Sequence, residues 1–175
     1  MILTGPEILA ARMRGEIVIE PFDETRLGPN SYDFALGNRM RWYTDDVLDA
    51  RRQNATSTSA IPNEGVVIRP DRLILCNTEE VMGSTHYVPI IRGRSSTGRL
   101  GLFIDITADL IDLGSINQWT LQLHAVLPVR IHAGMLIGQV TFWRTQGERS
   151  QYRGKYGTLE SPAASLSYLS YEEGR

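Results

Sequence analysis

The chain has 175 residues, of which 42% are hydrophobic and 22% are charged, and its formal net charge at pH 7 is −2. This length and balance predict one folded domain spanning residues 1–175 and exclude a disordered chain. The net negative charge argues against a general nucleic-acid-binding surface. No 18-residue apolar run and no signal peptide stand in the sequence, which argues against a membrane protein and predicts a cytoplasmic location.

The N-terminal fifth of the chain predicts one helix and two strands. Residues 4–7 match a capping box with a proline in the first turn, apolar residues follow at helical spacing, and Gly15 ends the pattern. Residues 17–19 predict a short strand, and residues 27–37 predict a turn followed by an alternating strand. In that strand Asp33 lies between two aromatic residues. It is predicted either to bond within a turn or strand end or to serve the site.

The remainder predicts short strands separated by Gly, Pro and Asn turns, which is typical of a β-sandwich or barrel. Residues 50–65 are polar and lack a period, so we expect a mobile loop there. The single cysteine, Cys76, excludes an internal disulfide, and its apolar surroundings predict a buried thiol without a catalytic role. The predicted strands are residues 66–68, 73–76, 87–91, 100–106, 110–111, 119–126 and 135–143.

A cluster of cations and hydroxyls lies between glycines in residues 92–101. The guanidinium of arginine and the hydroxyl of serine bind oxyanions such as phosphate, and glycine lets backbone N–H groups approach a ligand closely. By itself such a cluster is more often a solvated turn than a binding site. The cluster consists of Arg92, Arg94, Ser95, Ser96 and Arg99.

The chain becomes polar and glycine-bearing near its C-terminus. Residues 152–156 combine aromatic, basic and glycine residues in the order YRGKY. A segment of this kind near a terminus is predicted to be either a frayed tail or a lid that closes on a ligand. We assign residues 151–175 to this tail or lid.

Together these blocks resemble the dCTP deaminase family of the dUTPase superfamily, and the resemblance covers most of the chain. The block GRSSTGRLG, which resembles the family motif G-R-S-S-x-x-R-L-G, is the most specific element. Five blocks in the family's order are far more specific than any one of them. The five are NSYDFALG (30–37), GRSSTGRLG (93–101), TADLID (107–112), GMLIGQ (134–139) and YRGKY (152–156).

The resemblance implies a mostly β protein with a distorted β-barrel or jelly-roll-like dUTPase-type fold and a short N-terminal helix. It also implies a homotrimer with active sites between subunits, a pyrimidine deoxynucleoside triphosphate as ligand, and magnesium held through the triphosphate rather than by the protein. The implied nucleotide- and phosphate-binding residues are Arg94, Ser95, Ser96, Arg99, Tyr152, Lys155 and Tyr156. The implied catalytic positions are Arg99, Ala108, Asp112 and Gln122.

Position 122 departs from the family pattern. In the deaminases a glutamate that activates water lies ten residues after the aspartate of the I-D motif, and ten residues after Asp112 stands Gln122. Strand alternation places Gln122 on one face with Thr120 and His124, so we expect its side chain to face the ligand. A glutamine forms hydrogen bonds but does not accept a proton from water near neutral pH.

Two smaller departures lie near the same place. The turn at residues 112–117 lacks the aromatic residue and the second glycine of the family's D-x-G-aromatic-x-G pattern. The glutamine that the family carries four residues after the lysine is replaced by Leu159.

The sequence therefore leaves three hypotheses open. The first is a dCTP deaminase-like enzyme that converts dCTP and water to dUTP and ammonia, against which Gln122 argues. The second is a nucleotide phosphohydrolase in which Asp112 orients water toward the triphosphate, although Asp112 also suits a turn cap before Gly114. The third is a nucleotide-binding protein without catalysis. His124 is an alternative base, but a lone histidine on a strand is more often a bystander.

Overall fold

The computed structural model describes residues 1–157 and 162–172, and most of its regular structure is β. The helices are α1 (Gly5–Met13), α2 (Ser95–Gly98) and α3 (Leu169–Glu172), with a 3-10 turn at Glu24–Arg26. The strands are β1 (Ile17–Glu20), β2 (Tyr32–Tyr43), β3 (Thr56–Ala60), β4 (Val66–Ile68), β5 (Ile74–Thr78), β6 (Val81–Ser84), β7 (Tyr87–Gly93), β8 (Leu102–Phe103), β9 (Thr120–Ala125), β10 (Val129–Ile131) and β11 (Leu136–Arg144).

A seven-stranded antiparallel sheet forms the body of the molecule. Its strands follow the order β7-β11-β2-β5-β9-β8, and β3 pairs with β2. Two smaller antiparallel sheets, β1-β6 and β10-β4, complete the architecture. The result is a mostly β, nearly closed barrel with a short N-terminal helix, which confirms the predicted fold class.

The core consists of the inward-facing side chains of these strands. Tyr32, Phe34 and Phe142 are fully buried, and each such side chain stabilises the fold by roughly 1.5–3 kcal/mol. On β9 the buried residues alternate with partly exposed ones, so Leu121 and Leu123 face the core while Gln122 faces outward. The predicted alternation of this strand is confirmed.

The N-terminal helix is confirmed, but one detail of its prediction is wrong. The side chain of Thr4, the N-cap residue, makes no capping hydrogen bond. The helix is held instead by burial of Ile8 and Ala11 against the barrel. Gly15 follows its last turn with a φ of +73°, a left-handed conformation that glycine adopts without strain.

Three predictions about the strands need correction. Residues 56–60, which were predicted to lie in a mobile loop, form strand β3. This strand pairs with the second half of β2, and because it has no apolar face of its own, the pairing is what keeps it extended. Only residues 102–103 of the predicted strand 100–106 are extended, because the chain turns at Gly101 with a φ of +76°. Residues 110–111 form no strand, only an isolated bridge between Leu110 and Ile90. Strands β6 and β10 were not predicted.

Candidate functional site

The predicted phosphate-binding residues of the GRSSTGRLG block lie on α2 or at its two ends, directly after the end of β7. Thr97, at the centre of this short helix, is buried, and its hydroxyl lies 2.8 Å from the carbonyl oxygen of Arg94 and 3.3 Å from that of Ile137 on β11. The helix is therefore fixed to the barrel. We call Ser95, Ser96 and Arg99 the α2 cluster. All three are exposed, and no other described residue forms a hydrogen bond or ion pair with their side chains.

Arg94 differs from the α2 cluster because it has a partner within the chain. Its Nη2 lies 3.1 Å from Oδ2 of Asp33, and both side chains are about one quarter to one third exposed. A pair with this exposure contributes on the order of 0–1 kcal/mol to stability. Its main consequence is geometric, because the ion pair with Asp33 orients the Arg94 guanidinium.

A pocket of about 550 Å³ opens beside α2. Its lining includes Arg94, Phe103 of β8, and Thr107 and Asp109 of the loop after β8. Ala108 lies in this exposed loop between two lining residues, and its N–H donates a hydrogen bond of 3.0 Å to Oδ1 of Asp105. Ala108 thus adjoins the pocket that Arg94 lines, in a loop whose turn is held by a carboxylate.

Asp112 lies in an exposed turn. Its carbonyl oxygen accepts a hydrogen bond from the N–H of Ser115 at 3.1 Å, and Gly114 adopts a φ of +84° and donates to the carbonyl of Ser84 at 2.8 Å. The backbone thus closes the turn, while no other described residue forms a hydrogen bond or ion pair with the Asp112 carboxylate. That carboxylate is available to orient a water molecule.

Gln122 lies at the middle of β9, opposite Leu75 of β5, and its N–H donates to the carbonyl of Ile104 at 2.9 Å. We call Thr120, Gln122 and His124, all partly exposed, the β9 face. No hydrogen bond from another described residue reaches the Gln122 side chain. The ring of His124 packs at a tilt against Phe103, with ring centroids 6.4 Å apart.

The described C-terminal residues are bonded to the body of the chain. The N–H of Tyr152 donates to the carbonyl of Leu113 at 2.7 Å, which places this segment beside the turn that carries Asp112. Lys155 Nζ donates to Oγ of Ser170 at 2.9 Å and lies 5.8 Å from the ring centroid of Tyr156. Leu159, the last predicted departure, lies outside the described residues.

The predicted site residues therefore form two groups within one chain. The first is the α2 cluster with Arg94 and the pocket that Ala108 adjoins. The second is the Asp112 turn with residues 152–156. Among residues 1–157 and 162–172, no hydrogen bond or ion pair joins the α2 cluster to Tyr152, Lys155 or Tyr156. Nor does any group of three or more His, Cys, Asp or Glu side chains in these ranges come close enough together to hold a metal ion.

Some positioning residues were not predicted from the sequence. Thr97 fixes α2, and Arg41 and Tyr43 of β2 bond to the C-terminal segment. Thr97 occupies a variable place in the family motif, which offers no signal. Arg41 and Tyr43 do offer a weak one, because they alternate along a strand after the NSYDFALG block and therefore share a face.

The fold and these side chains define a mostly β, barrel-like protein with an arginine–serine cluster of a kind that binds oxyanions. A family model described as dCTP deaminase-like matches residues 2–145, and the chain belongs to this family. Among the described residues, no helix is long and apolar enough to span a bilayer.

Relatives match over nearly the whole chain. The chain is 40% identical to a dCTP deaminase, dUMP-forming, of Clostridium beijerinckii over 99% of its own length and 100% of the relative's. A protein of the same name from Clostridium botulinum is 42% identical, and one from Cytophaga hutchinsonii is 40% identical, each over 99% of this chain and 100% of the relative.

A solved structure supports the fold. The 2'-deoxycytidine 5'-triphosphate deaminase of Agrobacterium tumefaciens superposes with a TM-score of 0.64 and 18% sequence identity over 81% of this chain. The match spans 47% of that chain, so this protein corresponds to about half of the Agrobacterium protein.

Proposed function

We propose that this protein is a dCTP deaminase-like enzyme of pyrimidine deoxynucleotide metabolism, located in the cytoplasm. The observation that carries the proposal is the α2 cluster, three exposed donors without an intrachain partner among the described residues, on a helix fixed by buried Thr97. The names of the relatives support dCTP as substrate. The deamination consumes one water and converts dCTP to dUTP and ammonia. A dUMP-forming enzyme consumes a second water and releases diphosphate.

The α2 cluster provides the phosphate contacts in this proposal. Charge-assisted bonds from arginine to phosphate are the stronger class of hydrogen bond, and serine hydroxyls add neutral ones. Lys155, Tyr152 and Tyr156 supply further contacts from the C-terminal segment. These donors suit phosphate rather than a cation, so magnesium would be held through the phosphate oxygens, where it keeps several of its waters.

Gln122 limits the deamination step. Water must lose a proton as it attacks C4 of cytosine, and a carboxamide can bond to that water but cannot take its proton. Loss of a positioned base typically costs about a hundred- to ten-thousand-fold in rate. Arg99 can stabilise negative charge that develops during attack, whereas Ala108 can contribute only its backbone groups. His124 faces the same side as Gln122 but packs on Phe103.

A second candidate activity is hydrolysis of the triphosphate through Asp112. The exposed Asp112 carboxylate, which has no bonding partner among the described residues, favours it. In this reaction Asp112 orients a water toward phosphorus, and arginines and magnesium stabilise the developing charge. A protein that binds nucleotide without turning it over is the third candidate, and Gln122 favours it.

We propose further that the site is shared between the subunits of a homotrimer. We call Tyr152, Lys155 and Tyr156 the C-terminal group. Within one chain the α2 cluster and the C-terminal group are not bonded to each other among the described residues, which fits a site completed by a second copy. Large apolar side chains are exposed on the same side as the pocket or on the adjoining loops, and association would cover them. They are Leu100, Phe103, Ile106, Leu110, Val126 and Leu127.

The activity is tested by incubating the pure protein with dCTP, dUTP, dCMP and CTP plus magnesium, separating products by chromatography and assaying ammonia. Ammonia with a uracil product supports the deaminase. Diphosphate release without ammonia supports the second candidate, hydrolysis of the triphosphate through Asp112. Heat protection by nucleotide without turnover supports the binding protein, and no binding or turnover of any of the four would overturn the proposal.

Sharing of the site is tested by sedimentation and by mixing. Arg99→Met disables the α2 cluster and Lys155→Met disables the C-terminal group. If sites are shared, mixed trimers of the two variants contain some sites with both groups intact, and part of the nucleotide binding returns. A monomeric wild-type protein, or mixing without recovery, contradicts sharing.

A further inference from the structure

The C-terminal segment crosses the outside of the barrel without joining a sheet. We call residues 162–166 the strap. Among the described residues, every hydrogen bond that the strap backbone makes with the barrel is made with a side chain, on β2 or β9. The bonds are Arg41 Nε to the Pro162 carbonyl (2.8 Å), the Ala163 N–H to Thr120 Oγ1 (2.9 Å) and the Ser165 N–H to the Tyr43 hydroxyl (2.9 Å).

The strap crosses the barrel next to Gln122. Arg41 of β2 lies opposite Leu75 of β5, and Leu75 lies opposite Gln122 of β9, so these three residues form one row across the sheet. Directly opposed residues on antiparallel strands share a face. Thr120 precedes Gln122 by two residues on that face, which separates their Cα atoms by about 7 Å.

Arg41 is itself held in place. Its Nη1 donates to Oγ1 of Thr56 on β3 at 2.9 Å while its Nε bonds to the strap, and its side chain is partly buried. The guanidinium therefore bridges the β2-β3 hairpin and the strap with two bonds in fixed directions. Because the guanidinium is planar and rigid, it loses little conformational entropy when it forms both hydrogen bonds.

The far end of the strap holds the residues predicted to contact nucleotide. The N–H of Leu166 donates to the hydroxyl of Tyr156 at 2.9 Å, and Lys155 bonds to Ser170 four residues farther on. On the other side the N–H of Tyr152 is bonded to Leu113. Residues 152–156 are thus fixed at both ends.

The same end is also tied to the loop between β2 and β3. The hydroxyl of Ser167 donates to the carbonyl of Ala50 at 2.8 Å, and the guanidinium of Arg51 lies 5.2 Å from the ring centroid of Tyr171. These contacts extend the support of the strap beyond β2 itself. They lie outside the row that contains Gln122.

We propose that Arg41 and Tyr43 are positioning residues. They hold the strap beside the β9 face and thereby fix Lys155 and Tyr156 in the orientation in which these two side chains meet the triphosphate. The inference rests on the proposed function only for the nucleotide contact itself. The holding of the strap is a statement about this chain alone.

Lys155 provides a direct probe, because it is the only lysine in the sequence. Its rate of acylation by an amine-reactive ester, read by mass spectrometry of its peptide, reports the position of the C-terminal group. Amide hydrogen exchange at residues 163–166 reports the strap. Neither measurement requires nucleotide or activity.

Three variants make the comparison. Tyr43→Phe removes one hydroxyl, Arg41→Met removes the guanidinium, and Tyr87→Phe is the matched control because its hydroxyl bonds to Glu16 instead, at 3.1 Å. Loss of a neutral bond should speed strap exchange about two- to tenfold, and loss of a charged one about ten- to a hundredfold. Acylation of Lys155 should rise in parallel, and the Tyr87 variant should match the wild type. Unchanged exchange and acylation in both β2 variants would overturn the inference.

Nucleotide binding then tests the second part of the proposal, that the held strap positions Lys155 and Tyr156 for the triphosphate. With dCTP and magnesium, the Kd of Tyr43→Phe should rise about two- to tenfold while the unfolding temperature stays near that of the Tyr87 control. If strap exchange rises in a variant while its Kd for nucleotide is unchanged, Arg41 and Tyr43 do not position the nucleotide contacts, and their proposed positioning role is overturned. If the wild type binds no nucleotide, the proposed function fails, whereas exchange and acylation still decide whether Arg41 and Tyr43 hold the strap.

Discussion

The α2 cluster and the C-terminal group are both predicted to bind the same triphosphate, yet they are built in different ways. The α2 cluster stands on a helix fixed by buried Thr97 and by the end of β7. Lys155 is held by its bond to the Ser170 hydroxyl and Tyr156 by a bond from the N–H of Leu166, and the Lys155 ammonium lies beside the Tyr156 ring. A buried anchor gives a preformed site, whereas a set of exposed bonds opens at little cost.

The two regions also differ in how far they keep the family pattern. Every position named in the G-R-S-S-x-x-R-L-G motif is present around α2, while the departures lie at Gln122, at residues 112–117 and at Leu159. The positions predicted to bind phosphate therefore keep the family pattern, whereas those predicted to handle the base and its water depart from it. This contrast suggests that binding and turnover can be separated by mutation.

The largest expected effect comes from restoring the carboxylate. Gln122→Glu should raise the rate of ammonia release from dCTP by about a hundred- to ten-thousand-fold, because it supplies a proton acceptor on the β9 face. Nucleotide affinity should change little. Gln118→Glu is the control, since the side chain of Gln118 bonds to the Glu79 carbonyl before β9 begins. An unchanged rate in the Gln122 variant would mean that the altered turn or Leu159 already prevents the chemistry.

Removal of a cation from the α2 cluster should weaken binding. We expect Arg99→Met to raise the Kd for dCTP with magnesium about ten- to a hundredfold, since a bond between charged groups is lost. Arg130→Met, which removes an exposed guanidinium from β10, should leave the Kd unchanged. Calorimetric titration measures both. Equal affinities for the two variants would contradict phosphate binding by α2.

A pair of glycines tests how rigidly α2 is supported. Gly138 of β11 is paired with Gly93 of β7, which leads into α2. A methyl group at Gly138 would collide with the ring of Phe34 and the side chain of Ile104, whereas at Gly93 it would make ordinary contacts at 3.7 Å or more.

Gly138→Ala should therefore cost about 1–3 kcal/mol of unfolding free energy, the range for overpacking a core. Gly93→Ala should change it by about 0.5 kcal/mol or less. Denaturant titration gives both values. Equal stability of the two variants would show that the core under α2 can rearrange to accept the extra methyl group at little cost in free energy.

The smallest expected effect concerns Cys76, whose thiol we expect to remain unreactive. Burial raises the pKa of its thiol to about 12, and it lies on β5 opposite Leu121, on the core side of the sheet that carries Gln122. At pH 8 such a thiol should react with a maleimide or disulfide reagent at least about a hundredfold more slowly than a free cysteine, because the thiolate is scarce. Arg41→Met should free the strap without exposing Cys76. Rapid labelling in that variant would mean that the sheet opens as well.

Much of the fold could be predicted from local pattern. The alternation of residues 119–126 identified the buried and exposed faces of β9, and the glycine after α1 marked the end of that helix. The family's order of motifs indicated the barrel. The faces of β9 and the end of α1 follow from periodicity and turn chemistry, which act over a few residues and can therefore be recognised in the sequence. The barrel was instead implied by the resemblance to the family.

The tertiary structure decided the rest. Nothing in TSTSA indicates a strand, because β3 is ordered by pairing with β2. Asp33 meets Arg94 across 61 positions, and Arg41 meets Pro162 across 121. The sequence by itself determined which chemical groups are available and that glutamine stands at position 122, where the family that the chain resembles carries a glutamate. Which groups share a surface depends on how distant strands pair, and that is set by packing of the whole barrel rather than by any local pattern.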